Sequence, residues 1–127
     1  MQQNIFGCVE GAQSYYLAKY SVIGKPIIYL SRNDVELKQV ASGLLLFEPN
    51  AEVYSLPAWD CVPYDRLSPH GDITGERIST LSKLACMDLS EKKVVILLTI
   101  NSFLQKIPPK SFFSNASLLL KKGHEYN

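Results

Sequence analysis

The sequence predicts an α/β domain in which a parallel sheet carries helices on both faces. Short apolar runs, typical of buried strands, alternate along the chain with longer segments of helical periodicity. The segments between consecutive strands are long enough for crossover helices, and such crossovers join parallel strands. Right-handed crossovers then place helices on the two faces of the sheet.

The first half of the chain contains three predicted strands. Residues 4–8 form a short first strand, and residues 13–20 follow as a helix. Residues 27–30 are an uninterrupted apolar run, which is typical of a strand buried on both faces. Residues 51–56 alternate in character and form the third strand, after Pro49 has ended a second helix.

That second helix has a well-marked start. Residues 31–33 supply capping side chains, and Asp34 and Glu36 place carboxylates at the positive end of the helix dipole. Gly43 interrupts the helix and destabilises it by about 1 kcal/mol relative to alanine. The positions expected to face the core are Val35, Leu37, Val40, Ala41, Leu44 and Leu45.

The second half begins with an irregular loop. Three prolines lie at six-residue intervals within residues 57–69, and a loop of this length is usually functional or packed on itself. A helix follows at 72–87, and its apolar face consists of Ile73, Ile78, Leu81, Leu84 and Ala85. The next elements are a buried strand at 94–98, a short helix at 101–107 and, after a Pro-Pro break, a strand at 117–120. We therefore predict one domain over residues 1–110, and we expect residues 111–127 to open a second domain.

Composition is that of a globular protein without a membrane segment. The 127 residues are 46% hydrophobic and 20% charged, and no apolar run approaches the length that spans a bilayer. The first residues carry no secretory signal, so we expect a cytoplasmic protein. Three cysteines without a C-x-x-C pair indicate reduced thiols rather than disulfides or structural zinc. A net charge of +1 supplies no global field for nucleic acid.

A degenerate phosphate-binding loop follows the first predicted strand. A working loop has the form G-x-x-x-x-G-K-[ST], in which the lysine neutralises the β- and γ-phosphates and the hydroxyl binds Mg²⁺. Gly7 and Ser14 match this form, whereas Ala12 replaces the second glycine and Gln13 replaces the lysine; Gly11 lies between. This loop favours a RecA-like or phosphate-loop-like version of the fold, with no nucleotide chemistry and no cofactor. A plain glycine turn before a helix is the alternative.

Other candidate groups have simpler interpretations. Ser14, Cys8 and His124 have no base nearby in sequence that would activate a nucleophile. The polar loop residues Asp60, Asp65, His70 and Asp72 lack metal-ligand spacing, so turn and cap roles are preferred. We expect Arg77 to pair with Asp65 or Asp72. Trp59 and Tyr64 either anchor the loop to the core or stack on single-stranded nucleic acid.

The loop and the helix after it resemble a known family. Residues 56–81 match the pattern W-[DE]-x-x-P-Y-D-x-x-S-P-x-x-D-I-x-x-x-R-[LI]-x-x-L of the amino-terminal region of bacterial transcription-repair coupling factors. Residues 99–109 and 118–123 are similar to the next blocks of that family. The matching motif residues are Trp59, Pro63, Tyr64, Asp65, Ser68, Pro69, Asp72 and Arg77.

The resemblance implies a module related to excinuclease B, the damage-recognition component of the excision nuclease, with its ATP site lost. In this family, ATP hydrolysis and DNA translocation belong to motor domains, RNA polymerase binding to a middle domain, and recruitment of excinuclease A to the adjacent second domain. The resemblance thus implies a non-enzymatic module that contacts other domains of its own chain.

Two other hypotheses stay open. The first is an active nucleotide-binding domain that takes its cation from Lys19 or Lys25. The second is a single-stranded DNA-binding module that uses Trp59, Tyr64 and local basic residues.

Overall fold

The computed structural model describes residues 4–9, 11–61 and 68–116. Within them the chain forms a three-stranded parallel sheet with the order β1-β3-β2. The elements, in chain order, are α1 (Ala12–Tyr20), β1 (Ile27–Ser31), α2 (Asp34–Phe47), β2 (Glu52–Leu56), α3 (Gly71–Cys86), β3 (Val94–Thr99), α4 (Ile100–Leu104) and α5 (Lys110–Ala116). The predicted parallel α/β sheet is confirmed.

The strand order sets where the helices lie. The chain passes from β1 to the far edge at β2 and then returns to β3 in the centre. The two crossovers run in opposite directions, and right-handed crossovers of this kind are expected to place their helices on opposite faces. Helix α2 packs mainly on β3, and α3 packs on β2. None of the described helices is both long and apolar enough to cross a bilayer.

The main core lies between α2 and the central strand. Leu37, Val40 and Leu44 of α2 pack with Val95 and Leu97 of β3. All residues of β3 except the half-buried Ile96 are buried, as expected for the strand that has a neighbour on each side. The partly buried residues that complete this cluster are Leu17, Ala18, Ile27, Tyr29, Ala41 and Val53.

Several sequence predictions of burial are wrong. Ile28 and Leu30 are exposed, because β1 is an edge strand and its second face is uncovered in the described structure. Val35 and Leu45 are also exposed, since they lie at the flanks of the apolar stripe of α2. On α3 the buried residues are Arg77 and Thr80 rather than the apolar positions that periodicity selected, and Ile78 is exposed.

The first predicted strand is absent from residues 4–8, which are irregular. A strand needs a neighbour to complete its hydrogen bonds, and Gly7 turns the chain here with a φ of 67°. The predicted helix at 101–107 ends at Leu104. Helix α5 was not predicted, although Pro108 and Pro109 precede it and proline favours helix starts.

The strand predicted at residues 117–120 lies outside the described residues. Helix α5 packs against α3, and Phe113 is its buried residue. The domain boundary at residue 110 stays a prediction.

Gly43 has a packing role in α2. A Cβ at this position would lie 2.5 Å from Ser14 Oγ and 2.8 Å from Ser14 Cβ, so α1 and α2 touch closely here. We expect Gly43→Ala to lower the free energy of unfolding by about 1 to 3 kcal/mol through overpacking, despite the better helix propensity of alanine. Urea denaturation followed by circular dichroism measures this.

Gly75 provides the matched control, since it lies inside α3 and a Cβ there meets nothing within 4 Å. Gly75→Ala should raise stability by up to about 1 kcal/mol. Equal stabilisation by both substitutions would contradict the close contact between α1 and α2.

Candidate functional site

The turn before α1 contains two glycines in the left-handed backbone region. Gly7 and Gly11 adopt positive φ angles of 67° and 86°, which favour glycine. The amide of Ala12 donates to the carbonyl of Val9 at 3.0 Å, so it is engaged within the turn. Gly11 caps α1 without a side-chain hydrogen bond.

Ser14 faces the neighbouring helix. Its side chain is 1% exposed, and its hydroxyl donates to the carbonyl of Val40 at 3.2 Å. In a working loop the equivalent hydroxyl points to the Mg²⁺ of the nucleotide. Here the same group joins α1 to α2, and Gly43 leaves the space that it occupies.

An open pocket of about 550 Å³ lies between the start of α1 and the start of α2. Its charged lining residues are Arg32 and Glu36, one of each sign. Gln13 lines the pocket where the motif would place a lysine. The remaining lining residues are Gly11, Ser14, Asn33, Val35, Gln39 and Val40.

Glu36 is held as a carboxylate in this pocket. Ser31 Oγ donates to its Oε2 at 2.7 Å, and Tyr29 Oη donates to its Oε1 at 3.0 Å. The hydrogen bond from Ser31, followed by that from Tyr29, lowers the pKa of Glu36 below its usual value. Desolvation, with Glu36 as a further cause, raises the pKa of Tyr29 to about 12, so the phenol stays a donor.

The proline-rich loop is fixed to the domain by Arg77. This side chain is 2% exposed, and its Nη1 donates to the carbonyl of Pro57 and, at 3.2 Å, to Ser102 Oγ. Its guanidinium carbon lies 4.6 Å from the ring centroid of Trp59, a cation–π contact. Burial lowers the pKa of Arg77, and no carboxylate of the described residues pairs with it.

Additional hydrogen bonds hold the two ends of the loop. The amide of Trp59 donates to Gln105 Oε1 at 3.0 Å. The amide of His70 donates to the carboxylate of Asp60, at 3.2 and 3.3 Å from its two oxygens. These bonds connect the loop to the residue that follows α4 and connect its described ends to each other.

The expected pairing of Arg77 with Asp72 is wrong. Asp72 is exposed and lies 3.5 Å from His70 Nδ1, which caps α3 by accepting from the amide of Asp72. Asp65, Pro63 and Tyr64 lie outside the described residues. Ser68 is exposed and Pro69 half-buried beside the start of α3.

The other candidate groups lie apart from one another. Cys8 and Cys86 are exposed and Cys61 is half-buried, all as free thiols. Among the described residues no group of three or more His, Cys, Asp or Glu side chains is placed to hold a metal ion. Lys19 and Lys25 are exposed and do not line the pocket beside Glu36.

Sequence reasoning missed the roles of Arg77, Thr80 and Ser102. Thr80 Oγ1 donates to the carbonyl of Ser55 at 2.9 Å, and Ser102 Oγ donates to that of Pro57 at 3.3 Å. A signal was present, since Arg77 and Thr80 are three residues apart and share one helix face. The apolar face predicted for this helix included neither of them.

Comparison with known proteins identifies the relatives of the chain. It is 37% identical over 93 residues to the transcription-repair-coupling factor of Rickettsia conorii. This match covers 73% of the chain and 8% of that protein. It is 38% identical over 71 residues to the Escherichia coli factor, and this match covers 56% of the chain and 6% of that protein. It is 34% identical over 93 residues to the Haemophilus influenzae factor, and this match covers 73% of the chain and 7% of that protein. No family model matches the chain.

These matches confirm the resemblance to transcription-repair-coupling factors. The matched region spans about 8% of the length of the curated relatives.

The hydrogen bonds to Glu36 predict a pH-dependent contribution to stability. Because its pKa is lower in the folded state, the stabilisation is complete above the usual glutamate pKa and is lost as pH falls through the folded value. We expect Glu36→Gln to lower the free energy of unfolding by about 1 to 2 kcal/mol at neutral pH. This difference should shrink as the pH falls below about 4, the usual glutamate range, in urea titrations at several pH values.

Glu91→Gln is the control, because Glu91 is exposed and does not take part in this network. Its stability should follow that of the wild type at every pH. A Glu36→Gln difference independent of pH would mean that the carboxylate charge contributes nothing to stability.

Arg77 predicts a second effect, on the loop. Lysine cannot reproduce the guanidinium contacts with Pro57, Ser102 and the ring of Trp59. We expect Arg77→Lys to lower the free energy of unfolding by about 2 kcal/mol and to shift the emission of Trp59 to longer wavelength as water reaches its ring. Arg32→Lys, at an exposed arginine, should change stability by less than about 0.5 kcal/mol. An unchanged Trp59 spectrum in Arg77→Lys would rule out the fixing of the loop by this side chain.

Proposed function

We propose that the chain is a non-catalytic module of a transcription-repair-coupling factor, related to phosphate-loop domains but without a nucleotide site. Its role is to hold and present neighbouring parts of a longer protein. The observation that carries this proposal is the placement of Ser14, a buried residue whose hydroxyl donates to the carbonyl of Val40 and so joins α1 to α2. The similarity to transcription-repair-coupling factors supports the same role.

The charges of the pocket beside α1 support this proposal. A nucleoside triphosphate with Mg²⁺ needs a site with net positive potential or an array of free amides. Glu36 brings a carboxylate to the pocket, and its charge offsets that of Arg32. With Gln13 in the lysine position, the lining residues provide no excess cation for the phosphates.

The partners of this module are proposed from the resemblance. They are the other domains of the full-length chain, excinuclease A through an adjacent second domain, and RNA polymerase and DNA through further domains. ATP hydrolysis and translocation would then belong to motor domains elsewhere in the longer protein, and this module would use no cofactor.

The two alternative functions have less support. Lys19 and Lys25 are exposed at positions that do not line the pocket, so neither replaces the missing lysine in this conformation. Stacking of single-stranded DNA on Trp59 would compete with Arg77, which already lies over that ring.

Calorimetric titration with ATP and Mg²⁺ tests the proposal. We expect no saturable binding at millimolar nucleotide, because the pocket has no net positive charge and Ser14 is engaged with α2. Saturable micromolar binding that is lost in Arg32→Ala would place a nucleotide in the pocket and contradict the proposal. Micromolar binding lost in Lys19→Ala or Lys25→Ala would establish the alternative with a substitute lysine.

A further inference from the structure

A groove of about 780 Å³ runs over β2 on the face of the sheet that carries α2. On this face α2 packs on β3 and β1, and α1 packs on α2. The first turns of α3 line the other side of the groove through Ile73 and Glu76. The groove therefore lies between α2 and the start of α3.

The floor and walls of the groove are largely apolar. Leu97 and Val53 contribute from the sheet, and Ala41 and Leu45 contribute from α2. Trp59, which Arg77 holds in place, lies at one end. Leu45 is 45% exposed, so an apolar occupant would remove its surface from water.

Carboxylates predominate on the rim. The exposed residues Asp34, Asp60 and Glu76 line the groove, and Lys38 is its one cation among the lining residues. None of the four takes part in an ion pair within the described structure. The rim therefore has net negative charge that is available to a basic partner.

We propose that this groove binds an amphipathic helix of a partner protein, with an apolar stripe flanked by lysine or arginine. The apolar floor matches the stripe, and the acidic rim matches the flanks, as in other helix-in-groove interfaces. Addition of a strand at the edge of β2 is opposed by α3, because Thr80 already donates to the carbonyl of Ser55. This surface is distinct from the pocket beside α1 and needs no nucleotide.

The test uses a synthetic peptide as the probe. The peptide is an alanine-based helix of about four turns with leucines at i, i+3, i+4 and i+7 and lysines beside them. Trp59 is the single tryptophan of the chain and lines the groove, so its emission reports occupancy directly. We expect saturable binding that shifts the emission of Trp59, and at least tenfold weaker binding of the peptide with glutamates in place of lysines.

Matched variants locate the binding surface. Leu45→Ser should weaken the affinity about tenfold, and Leu46→Ser should leave it unchanged, because Leu46 is 78% exposed and does not line the groove. Glu76→Lys should weaken it about fivefold, whereas Glu91→Lys should have no effect, because Glu91 is exposed outside the groove. Circular dichroism confirms that each variant is folded.

Several results would overturn the proposal. They are the absence of saturable binding, equal affinity for the acidic and basic peptides, or equal effects of the two leucine substitutions. Self-association that Leu45→Ser abolishes would assign the groove to a second copy of the chain. A salt-sensitive shift of Trp59 emission by labelled oligothymidine, without a response to the peptide, would assign it to nucleic acid.

Discussion

The insertion of β3 between β1 and β2 is the constraint on which the rest of the structure depends. This strand is the last of the three in sequence and the central one in space. Neither β1 nor β2 has a partner in the described sheet until β3 is in place, so the sheet forms only through contacts between residues far apart in sequence. Burial of Val95 and Leu97 against α2 then stabilises the sheet and one helical layer together.

Hydrogen-bonded polar groups lie together at the carboxyl end of the sheet. Ser31 at the end of β1 bonds Glu36, and Thr99 at the end of β3 accepts from the amide of Ser102. Pro57, just after β2, accepts from Arg77 and Ser102. Parallel strands end at the same edge, so their following loops are brought close together. Both the pocket and the fixed loop result from this geometry.

Sequence periodicity predicted the three strands and the helices α1, α2 and α3, but not the positions of polar side chains. The apolar run at β3 and the capping residues before α2 were sufficient, because burial and orphan amides leave a local pattern. The burial of Arg77 was not predictable in the same way. It depends on a carbonyl twenty residues earlier and a ring in the loop, and neither contact has a periodic signature.

Contacts between residues distant in sequence also determine the candidate pocket and the edge of the sheet, so periodicity did not predict them. Replacement of the lysine by Gln13 was visible in the sequence, but the carboxylate of Glu36 enters the pocket from a different helix. The first strand was predicted from Ile5 and Phe6, whose apolar character said nothing about whether a partner strand exists. Strand pairing depends on the tertiary structure, so a short apolar run does not show whether a partner strand is present.

The packing of α1 on α2 depends on Ser14 and Gly43, one residue from each helix. A serine hydroxyl has one proton to donate, and in Ser14 the carbonyl of Val40 accepts it. The side chain is buried against the position of Gly43, so the two helices approach closely at this point. Removal of the Ser14 hydroxyl would leave the carbonyl of Val40 without this donor and would open a space beside Gly43. The hydrogen bond of Ser14 and its close contact with Gly43 therefore define how α1 and α2 pack.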